Sequence, residues 1–216
     1  MVRRQKGVDP QAQLMLFPTS LASALRCAFL SLALFLTTGC QSKKNTQAII
    51  HTSMGDIRVR LYDDTPRHRD FFLRLIRLGA YDSLRVRRIE RDFVVQSGYA
   101  REVPQLTTTP PAQTQRPLLR GALAANGSLF FIVQGRPQTD ATLDKWEQQL
   151  GKKFSPELRA LYKQKGGAPQ LDGQYTVFGE VAAGIDVVDK IAALPRNSDD
   201  EPLETVTMRV KTLERQ

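Results

Sequence analysis

The segment Ile57-Arg58-Val59-Arg60-Leu61 alternates apolar and charged side chains without a break. A period of two fits a strand with one face in a core and the other in water. On a helix the same three apolar residues would scatter around the circumference. Alternation is visible again in Ala48-Ile49-Ile50-His51-Thr52 and, near the C-terminus, at Val206, Met208 and Val210. Met54-Gly55-Asp56 separates the first two runs as a turn, which predicts a hairpin. Further strand signals run over Arg85 to Glu90, Phe93 to Gln96, Gly121 to Ala125, Leu129 to Gln134, Tyr175 to Val181 and Glu204 to Leu213.

Two amphipathic helices interrupt these strands. Thr65-Pro66 supplies an N-cap and a first-turn proline, Phe71, Phe72, Leu75, Ile76 and Leu78 make an apolar stripe, and Gly79 ends the helix. The second helix, Ile185 to Ala192, presents Val187, Val188 and Ile191. Residues 136–169 differ in character. Leu143, Trp146 and Leu150 have helical spacing, and Ser155-Pro156-Glu157 opens another helix that runs to Gly166-Gly167. This predicts a helical insertion between two strands. Residues 99–120, rich in Thr, Pro and Gln, read as a long surface loop. Strands with two separate helices argue for an antiparallel sheet capped by helices.

The chain has 216 residues, of which 41% are hydrophobic and 25% charged, enough for one globular domain. Its net charge of +9 comes from scattered Lys and Arg with no nucleic-acid motif, so it reads as a basic solvated surface. The N-terminus reads as a targeting segment. Arg26 precedes the apolar run from Cys27 to Leu36, which is shorter than the roughly 20 residues a membrane span needs. Thr37-Thr38-Gly39-Cys40 follows and resembles a bacterial lipoprotein cleavage site, although Thr37 stands where an aliphatic residue is usual. Residues 1–39 are then a signal peptide, Cys40 the lipidated residue and 40–46 a tether. Met15 offers a second possible start. Cys27 and Cys40 are the only cysteines, so the domain from residue 47 to 216 has none for a disulfide.

Three blocks point to a family. They are Tyr81 to Gly98 with its Val86-Arg87-Arg88 and Gln96, then Asn126-Gly127-Ser128-Leu129-Phe130-Phe131-Ile132, then Leu171-Asp172-Gly173-Gln174-Tyr175 running on to Val181. Together, in this order, they resemble the cyclophilin-type peptidyl-prolyl isomerases. The resemblance covers roughly residues 47–213. It implies a mainly β fold, a closed eight-stranded antiparallel barrel capped by two helices, carrying the insertion at 136–169.

It also implies roles. Arg88 matches the last residue of the family's Phe-His-Arg motif and would donate to the prolyl nitrogen as the amide twists. Gln96 would hold substrate backbone and help orient that arginine. Phe93, Val94, Ala125, Phe131 and Leu171 would line the proline pocket, and the Tyr175 hydroxyl could reach substrate. No cofactor or metal is implied, because no bond is broken. The implied partners are proline-containing unfolded or exported polypeptides and, through Cys40, a membrane. The expected place is the bacterial cell envelope, at the periplasmic face of the outer membrane because Gln41 follows Cys40. The expected state is a monomer.

Several positions depart from the family pattern. Val86-Arg87 replaces Phe-His, Ser97-Gly98-Tyr99 replaces Gly-Gly-Asp, and Gln170 stands where Trp is frequent. Gly121-Ala122-Leu123-Ala124-Ala125 runs almost directly into Asn126, so a groove-wall loop is shortened. These departures leave open a second reading, a cyclophilin-fold module that binds prolyl segments with little catalysis. His51 and His68, on different elements, have no ligand spacing, and Asp199-Asp200-Glu201 reads as a loop before the last strand.

Overall fold

The computed structural model describes residues 46–97, 109–113 and 116–213. Cys40, the leader, the tether up to residue 45 and much of the predicted 99–120 loop lie outside them. The strands are β1 (Gln47–Thr52), β2 (Gly55–Leu61), β3 (Leu84–Glu90), β4 (Val94–Ser97), β5 (Ala122–Asn126), β6 (Leu129–Val133), β7 (Thr176–Ala183) and β8 (Thr207–Leu213). They close into a barrel in the order β1-β2-β7-β5-β6-β4-β3-β8. Every pairing is antiparallel. Eight strands leave an interior that side chains can fill. Ile57, Val59 and Leu61 point into it at 2%, 0% and 2% exposure, while Arg58 and Arg60 face out.

Two helices close the mouths. α1 (Pro66–Arg77) follows β2 and sends Phe72 and Leu75 into the interior cluster. The Phe72 ring meets Tyr81, Phe130 and Phe178 with centroids 5.1–5.5 Å apart. The later helix, Ile185–Ala192, inserts Val187, Val188 and Ile191 beside the β1–β2 turn, where Gly55 leaves just enough room for Val187. These mouths are opposite because Gly55 begins β2 and Leu61 ends it.

Two details of the first helix differ from expectation. Thr65 occupies the N-cap position but makes no side-chain cap bond. Leu78 is 46% exposed, because it lies beyond the last helical turn and leaves the stripe. The last strand begins at Thr207, since residues 195–203 form a hydrogen-bonded loop packed against β3.

Between β6 and β7 the chain makes α2 (Asp140–Leu150), α3 (Pro156–Lys165) and a 3-10 turn (Pro169–Leu171); the helix Ile185–Ala192 is therefore α4. A capping box between Thr139 and Thr142 starts α2, and the Ser155 hydroxyl accepts from the Leu158 N–H at 3.2 Å to start α3. The pair has its own small core of Leu143, Phe154 and Tyr162. Buried Glu147 ties it together, accepting from the Phe154 N–H at 3.0 Å and pairing with Lys153 and Arg159. Glycines make the junction with the barrel. A Cβ on Gly135 would lie 2.6 Å from Gly167 Cα, and one on Gly167 would lie 2.5 Å from the Leu118 carbonyl. Side chains there would push the helices off.

Candidate functional site

The outer face of one barrel wall carries a second apolar cluster. Val94, Leu118, Ala122, Ala124, Phe131, Val133, Ala168 and Val177 are buried, with Tyr62, Phe93, Leu171 and Tyr175 packed against them. Strand alternation explains the division: Val95, Phe130 and Ile132 face the interior, so Val94 and Phe131 face outward. The segment around the 3-10 turn lies against this wall and brings Leu171 and Tyr175 to it. Phe131 and Tyr175 meet edge-to-face with centroids 5.2 Å apart.

The polar groups reach this wall through a bulge. Val86 and Ile89 are both buried although three residues apart, which strict alternation forbids. The β3–β4 register shifts between Val86 and Arg88, and the extra residue puts Arg88 on the outer face. Arg88 then stands opposite Gln96, Gln96 opposite Phe131, and Phe131 opposite Ala124. One cross-strand row thus runs from a guanidinium through an amide to an aromatic ring of the apolar cluster.

Arg88 is held by carboxylates. Its Nη2 pairs with Glu90, two residues along the same strand, and its Nε lies 3.6 Å from Asp200 Oδ2. The Glu90 contact is an ion pair without hydrogen-bond alignment, since Glu90 Oε1 is out of solvent and has no hydrogen-bond partner. Asp200 adopts φ +62 in the loop after α4, accepts the Ile89 N–H on its carbonyl at 2.8 Å, and pairs with Arg196 at 3.1 Å. Among the described residues no hydrogen bond joins Gln96 to Arg88, so orientation of the arginine rests on Glu90 and Asp200. Alternation places Glu90 beside Arg88 from sequence alone, whereas Asp200 arrives from a distant loop and carries no local signal.

Of the residues expected in the pocket, Phe93, Val94, Phe131, Leu171 and Tyr175 share the outer cluster. Ala125 does not. It stands opposite Phe130 and packs against the interior cluster, while its neighbour Ala124 shares the Phe131 face and is fully buried. The reason is register: β5 and β6 join through a two-residue Gly127-Ser128 turn with Gly127 at φ +64, and one step along β5 changes face. Cys40 lies outside the described residues. Among the described residues no group of three or more His, Cys, Asp or Glu could hold a metal. His51 is engaged with Asp56 at 2.8 Å.

Asp172 fixes the segment that carries Leu171. Its Oδ1 accepts from the Leu118 N–H at 2.9 Å and from the Tyr162 hydroxyl at 2.7 Å. Burial pushes its carboxyl above the usual range. The insertion is therefore bonded to the pocket wall as well as packed beside it.

Known proteins share this architecture. The family described as cyclophilin type peptidyl-prolyl cis-trans isomerase/CLD matches residues 47–212. A Staphylococcus saprophyticus protein named "Putative peptidyl-prolyl cis-trans isomerase" is 30% identical over 176 residues, covering 74% of this chain and 87% of that protein. One of the same name from Staphylococcus epidermidis is 28% identical over 182 residues, covering 75% and 88%. A Cryptosporidium parvum cyclophilin type isomerase of known structure has a TM-score of 0.55 at 18% identity, covering 79% of this chain and 99% of that one. Its structure in the presence of the dipeptide Ala-Pro has a TM-score of 0.51 at the same identity, covering 78% and 99%.

Proposed function

This chain belongs to the cyclophilin-type peptidyl-prolyl cis-trans isomerases, and from that premise we propose that it turns X-Pro bonds of exported polypeptides with Arg88 as the hydrogen-bond donor. Rotation about the bond must cross about 18–20 kcal/mol because amide resonance is lost on the way. A catalyst needs to bind the twisted amide better than the planar one. In the twisted state the prolyl nitrogen regains its lone pair. The Arg88 guanidinium donates to it, and its planar fork stays charged and pre-oriented by Glu90 and Asp200. The proline ring sits against Phe131, Phe93, Val94 and Leu171, and Gln96 takes substrate backbone. Burying ring methylenes contributes about 0.8 kcal/mol each, so binding is weak and tolerant of sequence.

The observation that carries this reading is the row Arg88–Gln96–Phe131, which ends in the outer apolar cluster. The test is cis/trans exchange of a short X-Pro peptide by NMR, with the wild-type chain beside Arg88→Ala. Acceleration that falls at least about tenfold in the folded variant supports the assignment. No acceleration by the wild type refutes it.

We further propose that Cys40 carries lipid and holds the domain at a bacterial membrane, the periplasmic face of the outer membrane being the side that Gln41 favours. Loss of the protein from the membrane fraction in Cys40→Ser tests the anchor; retention in that fraction overturns it.

The two-residue β5–β6 turn favours a second reading, because it removes a groove wall and with it substrate contacts. In that reading the domain holds prolyl segments with little catalysis. Peptide resonances that shift without faster exchange would support it.

A further inference from the structure

A recess of about 320 Å³ opens beside Phe93. Phe93, Gln170 and Trp146 of the insertion helix α2 line it. Phe93 also belongs to the outer apolar cluster, and Gln170 adjoins Leu171, so the recess continues the proposed proline pocket. Three cations stand around it, Arg91, Arg136 and Lys145, against the single carboxylate of Asp92. Arg136 reaches that carboxylate only at 3.7 Å and is 65% exposed. Lys145 lies 5.2 Å from the Trp146 ring centroid and pairs with no carboxylate among the described residues. Arg91 is steered by the Ala193 carbonyl at the end of α4, which accepts from its Nη2 at 3.1 Å.

We infer that this recess is a substrate subsite for an acidic side chain next to the proline, an inference that rests on the isomerase reading above. The geometry supplies what such a residue needs. A peptide whose proline lies on Phe131 and Phe93 passes the recess within a residue or two, since an extended chain advances about 3.3 Å per residue. A Glu side chain entering there stacks its methylenes on Trp146 and sets its carboxylate between Lys145 and Arg136. A Lys at the same position meets uncompensated positive charge. The insertion thereby adds sequence preference to a pocket whose apolar contacts alone are tolerant.

Trp146 is the only tryptophan of the chain, so its fluorescence reports occupancy of the recess directly. The full chain is titrated with prolyl peptides that differ only in carrying Glu, Gln or Lys at each of the two positions on either side of proline. Trp146 emission gives binding, and NMR exchange on the same samples gives isomerisation. At one position Glu is expected to bind about fivefold tighter than Gln, with Lys weakest, and the spread should shrink as salt is raised. Lys145→Glu, at an exposed helix position, is expected to reverse that order. Equal midpoints for the three peptides, or an unchanged order in Lys145→Glu, overturns the subsite. If all three peptides exchange faster while their Trp146 midpoints are equal, the isomerase reading survives and the subsite fails. If Trp146 shows the Glu preference while no peptide exchanges faster, the subsite stands as a binding site and the isomerase reading fails.

Discussion

Arg88 and Gln96 stand directly opposite each other across β3 and β4, yet the Arg88 guanidinium is held by Glu90 and Asp200 and not by Gln96. The strand pair gives the arginine its face, and the carboxylates give it its direction. Arg88→Ala should lower kcat/KM by about ten- to a hundredfold, the range of one charge-assisted hydrogen bond made in the transition state. Its side chain is 44% exposed, so the variant should keep its thermal midpoint. Peptide exchange by NMR and a melting curve measure the two effects.

Asp200→Asn isolates the steering carboxylate. Asn tolerates the left-handed backbone at φ +62 and keeps the carbonyl that accepts from Ile89. The expected result is a several-fold fall in kcat with the unfolding midpoint little changed. A fall in stability alone would mean that Asp200 only fastens its loop.

Gly167→Ala should detach the insertion. The new Cβ would sit 2.5 Å from the Leu118 carbonyl and 2.9 Å from Leu119 Cα, at a φ of +152. Overpacking of this kind costs about 1–3 kcal/mol. Gly151→Ala is the control. It shares a positive φ of +63 but has nothing within 4 Å, so only the backbone cost of about 1–2 kcal/mol applies. Thermal unfolding of the two variants, with Trp146 emission followed in parallel, separates strain from detachment.

Asp172→Ala removes the acceptor of both the Leu118 N–H and the Tyr162 hydroxyl. Each buried donor left unpaired costs about 1–3 kcal/mol. The variant should unfold earlier in denaturant and also bind prolyl peptides more weakly, because Leu171 loses its support. Unfolding titrations and peptide titrations check the two consequences.

Glu147 gives the insertion a pH limit. Hydrogen bonds from Lys153, the Phe154 N–H and Arg159 lower its pKa from 4.5 to about 2. A carboxylate with a depressed folded-state pKa stabilises fully above its unfolded value and loses that contribution as pH falls toward the folded one. The gap in melting temperature between wild type and Glu147→Gln should therefore be constant above about pH 5 and close as pH drops toward 2. A gap that ignores pH would assign Glu147 a packing role only.

Strands and helices could be read from this chain because they depend on local periodicity. Ile57, Val59 and Leu61 state which face is buried, and Leu143, Trp146 and Leu150 state a helix, whatever surrounds them. The family motifs added the barrel, along with Arg88, Gln96, Phe131 and Tyr175, because those residues sit inside contiguous blocks. Ala125 shows where this stops. Whether it or Ala124 faces outward depends on a one-residue step of register, and that is set by the Gly127-Ser128 turn and by pairing with β6 and β7.

By itself the sequence determined the elements, the face each strand buries and the family to which the chain belongs. Tertiary structure decided which distant groups meet: Asp200 beside Arg88, Asp172 on the Leu118 N–H, and Trp146 in one recess with Phe93. These pairs are separated by long stretches of chain and joined only when the barrel closes. No local pattern encodes them, because a single carboxylate or aromatic ring has the same sequence neighbours whether or not it finds a partner.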